Sequence, residues 1–420
     1  MKKKGFGYGY GLQVLVFLMF FCYSSCTVSM INVTIPALVE KWGFDYAACV
    51  SQSTYGFLGG VVGSIIFAEI VRRKGNKFAI PISLICCGIP ALFYGHSSSF
   101  TVYVILNFLV YTFAVSYGTV MTGTLTANWF PRKRGWVLGF SSAGLPAGEF
   151  AFLPFMSLLI SVIGVSWGIT VFGIMAIVIG IISFFWIKEY PEEMGLAPDG
   201  EDISMDEAKK LREEIASYKS EWTVSRLLKT PFVWIQGILY GILFMITIGI
   251  IGQMVTFFCE KGIDAGTAVT MVSMTALSGL VGSVFWGFLD TKFGTKKATI
   301  VYAFYYCLVL ICLIFATGSY AFCWIAALMY GFANGGIGNL SPSMMVQTFG
   351  RFDVTAATRV INPITGVIRA LAFVIIAGCI SVFGTVGSAF YFMLACAAVA
   401  VVLAFIQPDK CVGYQPENEE

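Results

Sequence analysis

The chain has 420 residues, of which 58% are hydrophobic and only 12% are charged. This composition excludes a soluble globular domain, because apolar runs of roughly 20 residues, the length that crosses a bilayer, recur from end to end. The formal net charge of +3 is too small and too dispersed to indicate binding to nucleic acid. The sequence therefore predicts a polytopic α-helical membrane protein in a lipid bilayer, which we expect to function as a monomer.

Twelve stretches are long and apolar enough to cross a bilayer. In chain order they are 11–36, 48–71, 78–97, 100–128, 135–161, 165–187, 231–258, 266–289, 298–317, 320–346, 356–382 and 386–407. The lysines before the first stretch resemble the start of a signal peptide, but that stretch is too long and lacks a small-residue cleavage site. We therefore expect it to remain as an uncleaved transmembrane helix.

Basic residues fall in alternate loops of this arrangement. They lie at residues 2–4, 72–77, 132–134 and 292–297 and at Arg351. The loops between them carry mixed charges or none. Because basic loops remain on the cytoplasmic side, we expect both termini to be cytoplasmic, in a plasma or inner membrane.

A single long hydrophilic stretch, residues 188–230, interrupts the apolar pattern. We interpret it as a cytoplasmic linker. It would separate an N-terminal six-helix bundle, residues 1–187, from a C-terminal six-helix bundle with a short cytoplasmic tail, residues 231–420.

The two halves of the chain repeat in sequence. Paired landmarks recur at a nearly constant offset, namely Glu40 with Glu260, Gly75 with Gly294, Tyr111 with Tyr330 and Phe130 with Phe349. Near-constant offsets over distant landmarks predict twelve transmembrane helices in two pseudo-symmetric six-helix bundles, an all-α architecture typical of transporters.

Arg369 and Glu149 are the only charges deep within the predicted stretches. A cation at the bilayer centre costs about 2.5–3.5 kcal/mol on insertion scales, so such a residue indicates a functional site. Asn362 and Thr365 follow the helical spacing of Arg369 and share its helix face. The offset of the repeat also relates Glu149 to Arg369, so the two charges occupy equivalent places in the two halves.

This pair of charges is compatible with several roles. In carriers built from repeats, the solute site lies near the bilayer midplane between the repeats. Glu149 and Arg369 would then lock together when the site is empty, bind opposite ends of a zwitterion, or carry a coupling proton. The alternative is a structural ion pair, or an arginine bonded to neighbouring carbonyl groups.

Two segments carry more specific motifs. After the fourth stretch the chain reads Asn128-Trp129-Phe130-Pro131-Arg132-Lys133-Arg134-Gly135, followed by Gly139, Ala143, Gly144, Gly148 and Pro154. After the sixth it reads Tyr190-Pro191-Glu192-Glu193-Met194-Gly195-Leu196-Ala197-Pro198-Asp199-Gly200. Together these motifs resemble the oxalate:formate antiporter-like and monocarboxylate-transporter branch of the major facilitator superfamily.

The resemblance implies that helices one, four, seven and ten line a central cavity. Polar residues at helical spacing on these helices are candidates to bind a solute, namely Asn32, Asn107, Tyr111, Gln236, Tyr240, Tyr330 and Asn334. Tyr111 and Tyr330 are favoured, because they are repeat-related and match tyrosines that monocarboxylate carriers place there. The alternative for each residue is a hydrogen bond between helices, worth only about 0.6 kcal/mol on average in membranes.

The expected cytoplasmic gate departs from the superfamily pattern. Its motif usually carries an acid three residues before its glycine, where this chain has Arg72, with Glu69 a turn earlier. The resemblance implies a gate formed by Glu69, Arg72, Arg73, Asp290, Lys292, Arg132 and Arg134.

The charges near the expected site favour one carboxylate over two. Carboxylate carriers of this branch tend to place an arginine in helix eight, whereas 266–289 contains no basic residue. The cation of helix eleven is retained as Arg369. One cation suits one carboxylate, and Glu149 would oppose a second negative charge, so a dianion such as oxalate is disfavoured.

We therefore expect a secondary transporter that works by alternating access, either proton-coupled or as an exchanger. Arg369 would hold a carboxylate by charge-assisted hydrogen bonds. Glu149 would accept an amino group or carry the coupling proton. The favoured solute is a small monocarboxylate-type organic anion, ahead of a zwitterion such as an amino acid or betaine, and of a bulkier amphipathic organic acid.

Other classes of protein fit the sequence less well. A membrane enzyme would need a nucleophile–base pair or a metal cluster, but the chain has one histidine, His96, and no HExxH, GxSxG or Walker motif, so no cofactor or metal is expected. A transporter-like receptor would need a signalling domain, for which the linker and tail leave no room. The glycine-rich patches at 59–63 and 335–338 are expected to pack helices closely rather than to cradle phosphate.

Overall fold

The structure is a computed structural model that describes residues 7–29, 31–130, 137, 140–194, 196, 221–316, 319–409 and 411–412. The chain divides into two compact units, Met1–Glu213 and Glu214–Glu420. Both units are helical, and no β-strand occurs in the ranges given.

The N-terminal unit contains six helices in its described residues. Their segments are, in chain order, Gly7–Ser24, Ser25–Ser29, Ile31–Trp42, Tyr46–Lys74, Asn76–Tyr94, Phe100–Val115, Ser116–Met121, Thr122–Trp129 and Gly144–Trp186. The first three segments form helix one and the next two are helices two and three. The following three form helix four. Ser25–Ser29 in helix one and Ser116–Met121 in helix four are π-helical.

The C-terminal unit is built in the same way. Its segments are Val224–Leu228, Pro231–Glu260, Ala265–Phe293, Thr295–Ile314, Tyr320–Phe383 and Ser388–Ile406. After the short first helix, Pro231–Glu260, Ala265–Phe293 and Thr295–Ile314 are helices seven, eight and nine. Tyr320–Phe383 supplies two apolar crossings, Tyr320–Phe349 and Ala356–Phe383, which are helices ten and eleven, and the last segment is helix twelve.

The described residues contain eleven helices that are long and apolar enough to cross a membrane. One of them, Phe140–Trp186, has 47 residues, whereas a single crossing takes roughly 20. It breaks at Gly164, where φ is 81° and ψ is 160°, and the two parts are helices five and six. The predicted twelve transmembrane helices in two six-helix bundles are therefore confirmed.

The predicted stretches 320–346 and 356–382 agree with the two apolar crossings Tyr320–Phe349 and Ala356–Phe383 within three residues. The backbone is helical without interruption from Tyr320 to Phe383, across residues 347–355. No glycine of this stretch has a positive φ, and its two prolines, Pro342 and Pro363, lie outside the expected loop. The break at Gly164 corresponds in the repeat to Gly384, where φ is 74° and helix eleven ends.

The backbone repeats as the sequence does. The repeat-related residues Asp45 and Asp264 cap helices two and eight by accepting hydrogen bonds from the backbone amides of the third residue beyond, at 2.7 and 2.9 Å. Gly75 and Gly294 end these helices with φ of 78° and 85°, a conformation that L side chains rarely adopt. Equivalent caps and turns at equivalent positions support a duplicated framework.

Small residues bring helices together at equivalent places in both units. Helix two packs on helix four, and helix eight packs on helix ten. A Cβ atom on Gly63 would lie 2.5 Å from the carbonyl oxygen of Thr112. One on Gly282, the repeat-related glycine, would overlap the carbonyl oxygen of Phe332. Within the glycine-rich patches, Gly63 and Gly335 pack closely against a neighbouring helix, whereas a Cβ atom on Gly338 would meet nothing within 4 Å.

Candidate functional site

Glu149 lies in the interior of the N-terminal unit. It is 8% exposed and sits on helix five, which packs against helix one. The neighbouring Gly148 makes this packing close, because a Cβ atom there would lie 2.9 Å from the carbonyl oxygen of Phe21 and 3.3 Å from the Ser25 hydroxyl. The buried acid is therefore held next to the π-helical segment of helix one.

Arg369 occupies the equivalent place in the C-terminal unit. It is half-buried on helix eleven, which packs against helix seven. Its guanidinium carbon lies 5.9 Å from the centroid of the Phe244 ring, a cation–π distance. One turn earlier, the Thr365 hydroxyl donates to the Gly237 carbonyl at 3.3 Å and ties the two helices together. Phe244 is the repeat-related counterpart of Ser24 on helix one, so each charge lies beside the first helix of its own half.

A small polar cavity lies within the N-terminal unit. Its lining comes from helices one to four and comprises Cys26, Thr27, Ile31, Thr34, Ile35, Gln52, Tyr94, Tyr103, Asn107 and Tyr111. Its volume of about 10 Å³ has room for about one water molecule. Gln52 donates to the Tyr103 hydroxyl at 3.0 Å, and its side-chain oxygen is buried without a hydrogen-bond partner in the described chain. Asn107, 6% exposed, forms no side-chain hydrogen bond with any described residue.

This cavity gathers two of the predicted residues, Asn107 and Tyr111, and adds two that the sequence analysis missed. Gln52 and Tyr103 were overlooked for different reasons. Gln52 lies on helix two, outside the four helices that the resemblance selected. Tyr103 lies one turn before Asn107 on helix four, and this spacing would have revealed it. Together these groups offer uncharged donors and acceptors.

Tyr111 and Tyr330 make the same contact in the two units. The Tyr111 hydroxyl donates to the Thr27 carbonyl at 2.5 Å, and the Tyr330 hydroxyl donates to the Thr247 carbonyl at 2.9 Å. Thr27 and Thr247 are themselves repeat-related. Both tyrosines are at most 1% exposed. Each hydroxyl therefore links the fourth helix of its half to the first helix. Contact between these tyrosines and a solute stays a prediction.

Helix seven carries a different polar arrangement. The Tyr240 hydroxyl donates to the Leu340 carbonyl at 3.0 Å and lies 2.9 Å from the Thr299 hydroxyl. Gln236, one turn earlier, is fully buried, and neither side-chain polar atom has a hydrogen-bond partner in the described residues. A buried amide without hydrogen bonds costs about 1–3 kcal/mol. Gln236 is therefore a better candidate than Tyr240 to bind a polar group from outside the described chain.

The remaining predicted polar residues are dispersed. Asn32 is 2% exposed in helix one, and Asn334 is half-buried in helix ten. Asn362 is exposed on helix eleven, although Thr365 and Arg369 on the same helix are more buried. A shared polar face of helix eleven stays a prediction.

The predicted gate residues are only partly described. Arg73 and Glu69 form a salt bridge of 2.6 Å on the exposed surface of helix two. Lys292 is exposed and lies over the rings of Phe288 and Phe293, at 5.3 and 5.4 Å. Asp290 is half-buried near the end of helix eight. The side chain of Arg72, together with Arg132 and Arg134, lies outside what the structure describes.

Comparison with known proteins matches this chain to one family model and to several membrane proteins. The family model of the Major Facilitator Superfamily matches residues 15–373. The chain is 31% identical over 243 residues to the oxalate:formate antiporter of Oxalobacter formigenes, a match that covers 56% of this chain and 52% of that protein. It is 23% identical over 284 residues to the membrane sensor protein UhpC of Salmonella typhimurium, covering 66% and 62%. It is 26% identical over 282 residues to the hexose-6-phosphate:phosphate antiporter of Escherichia coli, covering 64% and 58%.

Solved structures agree on the fold. The D-xylose-proton symporter superposes with a TM-score of 0.74 at 13% identity, covering 96% of this chain and 98% of that one. A bacterial homolog of the human lysosomal transporter Spinster, in an inward-facing and occupied conformation, superposes at 0.68 and 15% identity, covering 97% and 99%. The sequence relatives named above are each matched over less than two thirds of their own length. The chain belongs to the major facilitator superfamily of membrane transporters.

Proposed function

We propose that this transporter moves a small organic anion with one carboxylate by alternating access. The observation that carries the proposal is Arg369, a cation within an apolar helix, half-buried beside Phe244. An arginine at such depth is costly unless it serves a site, and its planar fork matches a carboxylate. Arg369 would bind the anion by charge-assisted hydrogen bonds.

The named relatives support an anionic solute. Oxalate, formate, hexose 6-phosphate and phosphate, which appear in the names of two of them, are all anions. The absence of a basic residue from 266–289 argues against a second fixed cation in helix eight, and therefore for a single carboxylate. The uncharged groups of Gln52, Tyr103 and Asn107 would suit a hydroxyl or carbonyl group, or water that accompanies the solute.

In this proposal, Glu149 couples solute transport to the movement of a proton. As a buried acid at the place equivalent to Arg369, it would carry the coupling proton of a symport. A zwitterion is the second candidate solute, because Glu149 would then bind an amino group. In this proposal, residues 188–230 link the two bundles on the cytoplasmic side, where both termini also lie, and the protein acts as a monomer.

Removal of the guanidinium tests the proposed solute class. Counterflow of radiolabelled monocarboxylates into proteoliposomes should be lost in Arg369→Ala, with KM raised about 10- to 150-fold, because hydrogen bonds to a charged group contribute about 1.5–3 kcal/mol. Arg359→Ala is the matched control, since it removes an exposed arginine from the start of the same helix. Equal counterflow by both variants, or a preference for neutral solutes in the wild type, would contradict the proposal.

Glu149→Gln tests the coupling separately. The variant should retain carboxylate binding and counterflow but lose the dependence of net uptake on a pH gradient, because glutamine cannot release a proton. Uptake measured at fixed internal and stepped external pH reports this difference. Unchanged pH dependence would remove Glu149 from coupling, and loss of binding to amino acids alone would favour the zwitterion.

A further inference from the structure

The starts of helices three and nine are equivalent in the repeat, but only the start of helix three is occupied by a carboxylate in the described residues. The Glu189 carboxylate, which follows helix six, accepts hydrogen bonds from the Asn76 side chain at 2.8 Å and the Lys77 backbone amide at 3.0 Å. The Asn128 side chain donates a third, at 3.1 Å. An acid at a helix start is favourable, because the first backbone amides have no partners within the helix and the helix dipole attracts negative charge.

The corresponding acid of the C-terminal unit does not make this contact. Asp409 is the repeat-related counterpart of Glu189; it is exposed, and its carboxylate forms no bond with any described residue. The space differs as well. A Cβ atom on Gly75 would lie 2.8 Å from the Glu189 carboxylate, whereas one on Gly294 would meet nothing within 4 Å. The start of helix nine is therefore open where that of helix three is filled.

The side chain of Thr295 also lacks a partner at this open start. Thr295 is the repeat-related counterpart of Asn76, which binds Glu189. It is only 8% exposed, yet its hydroxyl forms no hydrogen bond in the described residues. Lys296 occupies the place of Lys77, whose amide donates to the same carboxylate. The N-terminal unit binds the Glu189 carboxylate with a side-chain donor and a backbone amide. Both kinds of donor are present at the start of helix nine, but no carboxylate of the described chain binds them.

The surroundings of this start are basic and lie at the end of a membrane span. Lys292, Lys296 and Lys297 fall within one turn of Gly294, against a single acid, Asp290. Phe288 and Phe293 are about half-exposed beside Lys292. Lysines at the end of a membrane span lie near the bilayer interface, where the phosphate groups of lipids are concentrated.

We propose that the start of helix nine binds a phosphate group. The amides of Thr295 and Lys296 and the Thr295 hydroxyl would donate to its oxygens, and the three lysines would balance its charge. The phosphodiester of an anionic lipid and free inorganic phosphate share this chemistry. The site is separate from Arg369 and does not depend on the identity of the transported solute.

Lipid binding to the purified full chain tests the proposal. Native mass spectrometry would follow binding of phosphatidylglycerol, with phosphatidylcholine, whose phosphodiester is offset by its choline cation, as the reference of zero net charge. Combined Lys292→Gln, Lys296→Gln and Lys297→Gln should weaken phosphatidylglycerol binding at least about tenfold, since each lysine near an anionic surface contributes measurably. Arg73→Gln, Lys74→Gln and Lys77→Gln is the matched control. It removes the same charge from the unit in which Glu189 already fills the site, and should therefore weaken binding several-fold less than the helix-nine variant.

Inorganic phosphate then separates the two sources. Displacement of phosphatidylglycerol by phosphate, lost in the helix-nine variant, would support a site that accepts the free ion. Retention of the lipid against phosphate, with the same dependence on the three helix-nine lysines, would support the lipid headgroup. Equal loss of lipid binding in both triple variants, or no loss in either, would overturn the proposal, because a nonspecific basic surface would then account for the data.

Discussion

The two halves of this transporter share a framework but differ in the polar groups within it. The links Tyr111 to Thr27 and Tyr330 to Thr247 are equivalent in both. The N-terminal half adds π-helical segments at Ser25–Ser29 and Ser116–Met121 and a polar cavity. The comparison teaches that repeated positions hold helices together, whereas positions that differ are the better candidates for solute recognition.

The C-terminal half has hydrogen-bonded tyrosines that link helix nine to helices seven and ten. The Tyr302 hydroxyl donates to the Ala333 carbonyl at 2.8 Å, and the Tyr306 hydroxyl lies 2.5 Å from that of Thr247. Residues 245–249, which correspond to the π-helical segment of helix one, are α-helical here. A π-helical segment often marks a functional site, so the N-terminal half is expected to adapt its helix one more readily.

The largest expected effect concerns helix packing, because Gly335 in the C-terminal half faces backbone whereas Gly60 in the N-terminal half faces a side chain. A Cβ atom at Gly335 would overlap the backbone of Gly279 and lie 2.6 Å from the Ser283 amide. At Gly60 the nearest atoms all belong to the Val115 side chain, the closest at 2.5 Å. Gly335→Ala should therefore destabilise by up to about 3 kcal/mol and Gly60→Ala by about 1 kcal/mol, measured by thermal unfolding in detergent.

The same helix provides the control for this comparison. Gly338 is exposed, and a Cβ atom there would meet nothing within 4 Å. Gly338→Ala should be neutral or stabilising by up to about 1 kcal/mol, because alanine favours helix over glycine. A greater loss of stability for Gly60→Ala than for Gly335→Ala would contradict the packing described for these two glycines.

The next largest effect concerns the acids after helices six and twelve. Glu189→Ala removes three hydrogen bonds to a charged acceptor and should lower stability by about 2 kcal/mol, again read as a fall in melting temperature. Asp409→Ala, the repeat-related control, should leave the melting temperature unchanged, since its carboxylate is exposed and forms no bond in the described chain. Equal effects would mean that the two helix starts are alike.

The sequence predicted the framework better than the site. Hydropathy and constant offsets yield twelve helices, because both features follow from apolar length and duplication. The π-helical segments were missed because no hydrophobic periodicity in the sequence distinguishes them from the surrounding α-helix. Gln52 was missed because the resemblance drew attention to four other helices.

Sequence also could not show what a polar residue contacts. Tyr111 and Tyr330 were selected as solute-binding residues, yet each hydroxyl is donated to a backbone carbonyl, and every residue carries a carbonyl. The pairing depends on how closely two helices approach, which side-chain chemistry alone does not specify. Glu149 and Arg369 could be singled out because a charge within an apolar run is visible without a structure, and their contact with a solute stays a prediction.

The smallest expected effect tests whether these tyrosines belong to the framework or to the site. Tyr111→Phe and Tyr330→Phe each remove one interhelical hydrogen bond and should each cost about 0.6 kcal/mol, with KM for the solute unchanged, because both hydroxyls are directed to helix carbonyls. Thermal unfolding and counterflow on the same preparations measure both quantities. Tyr240→Phe is a useful third variant, since its hydroxyl also links helices. A rise in KM for Tyr111→Phe alone would assign that tyrosine to the solute and would place the recognition site in the half that carries the polar cavity.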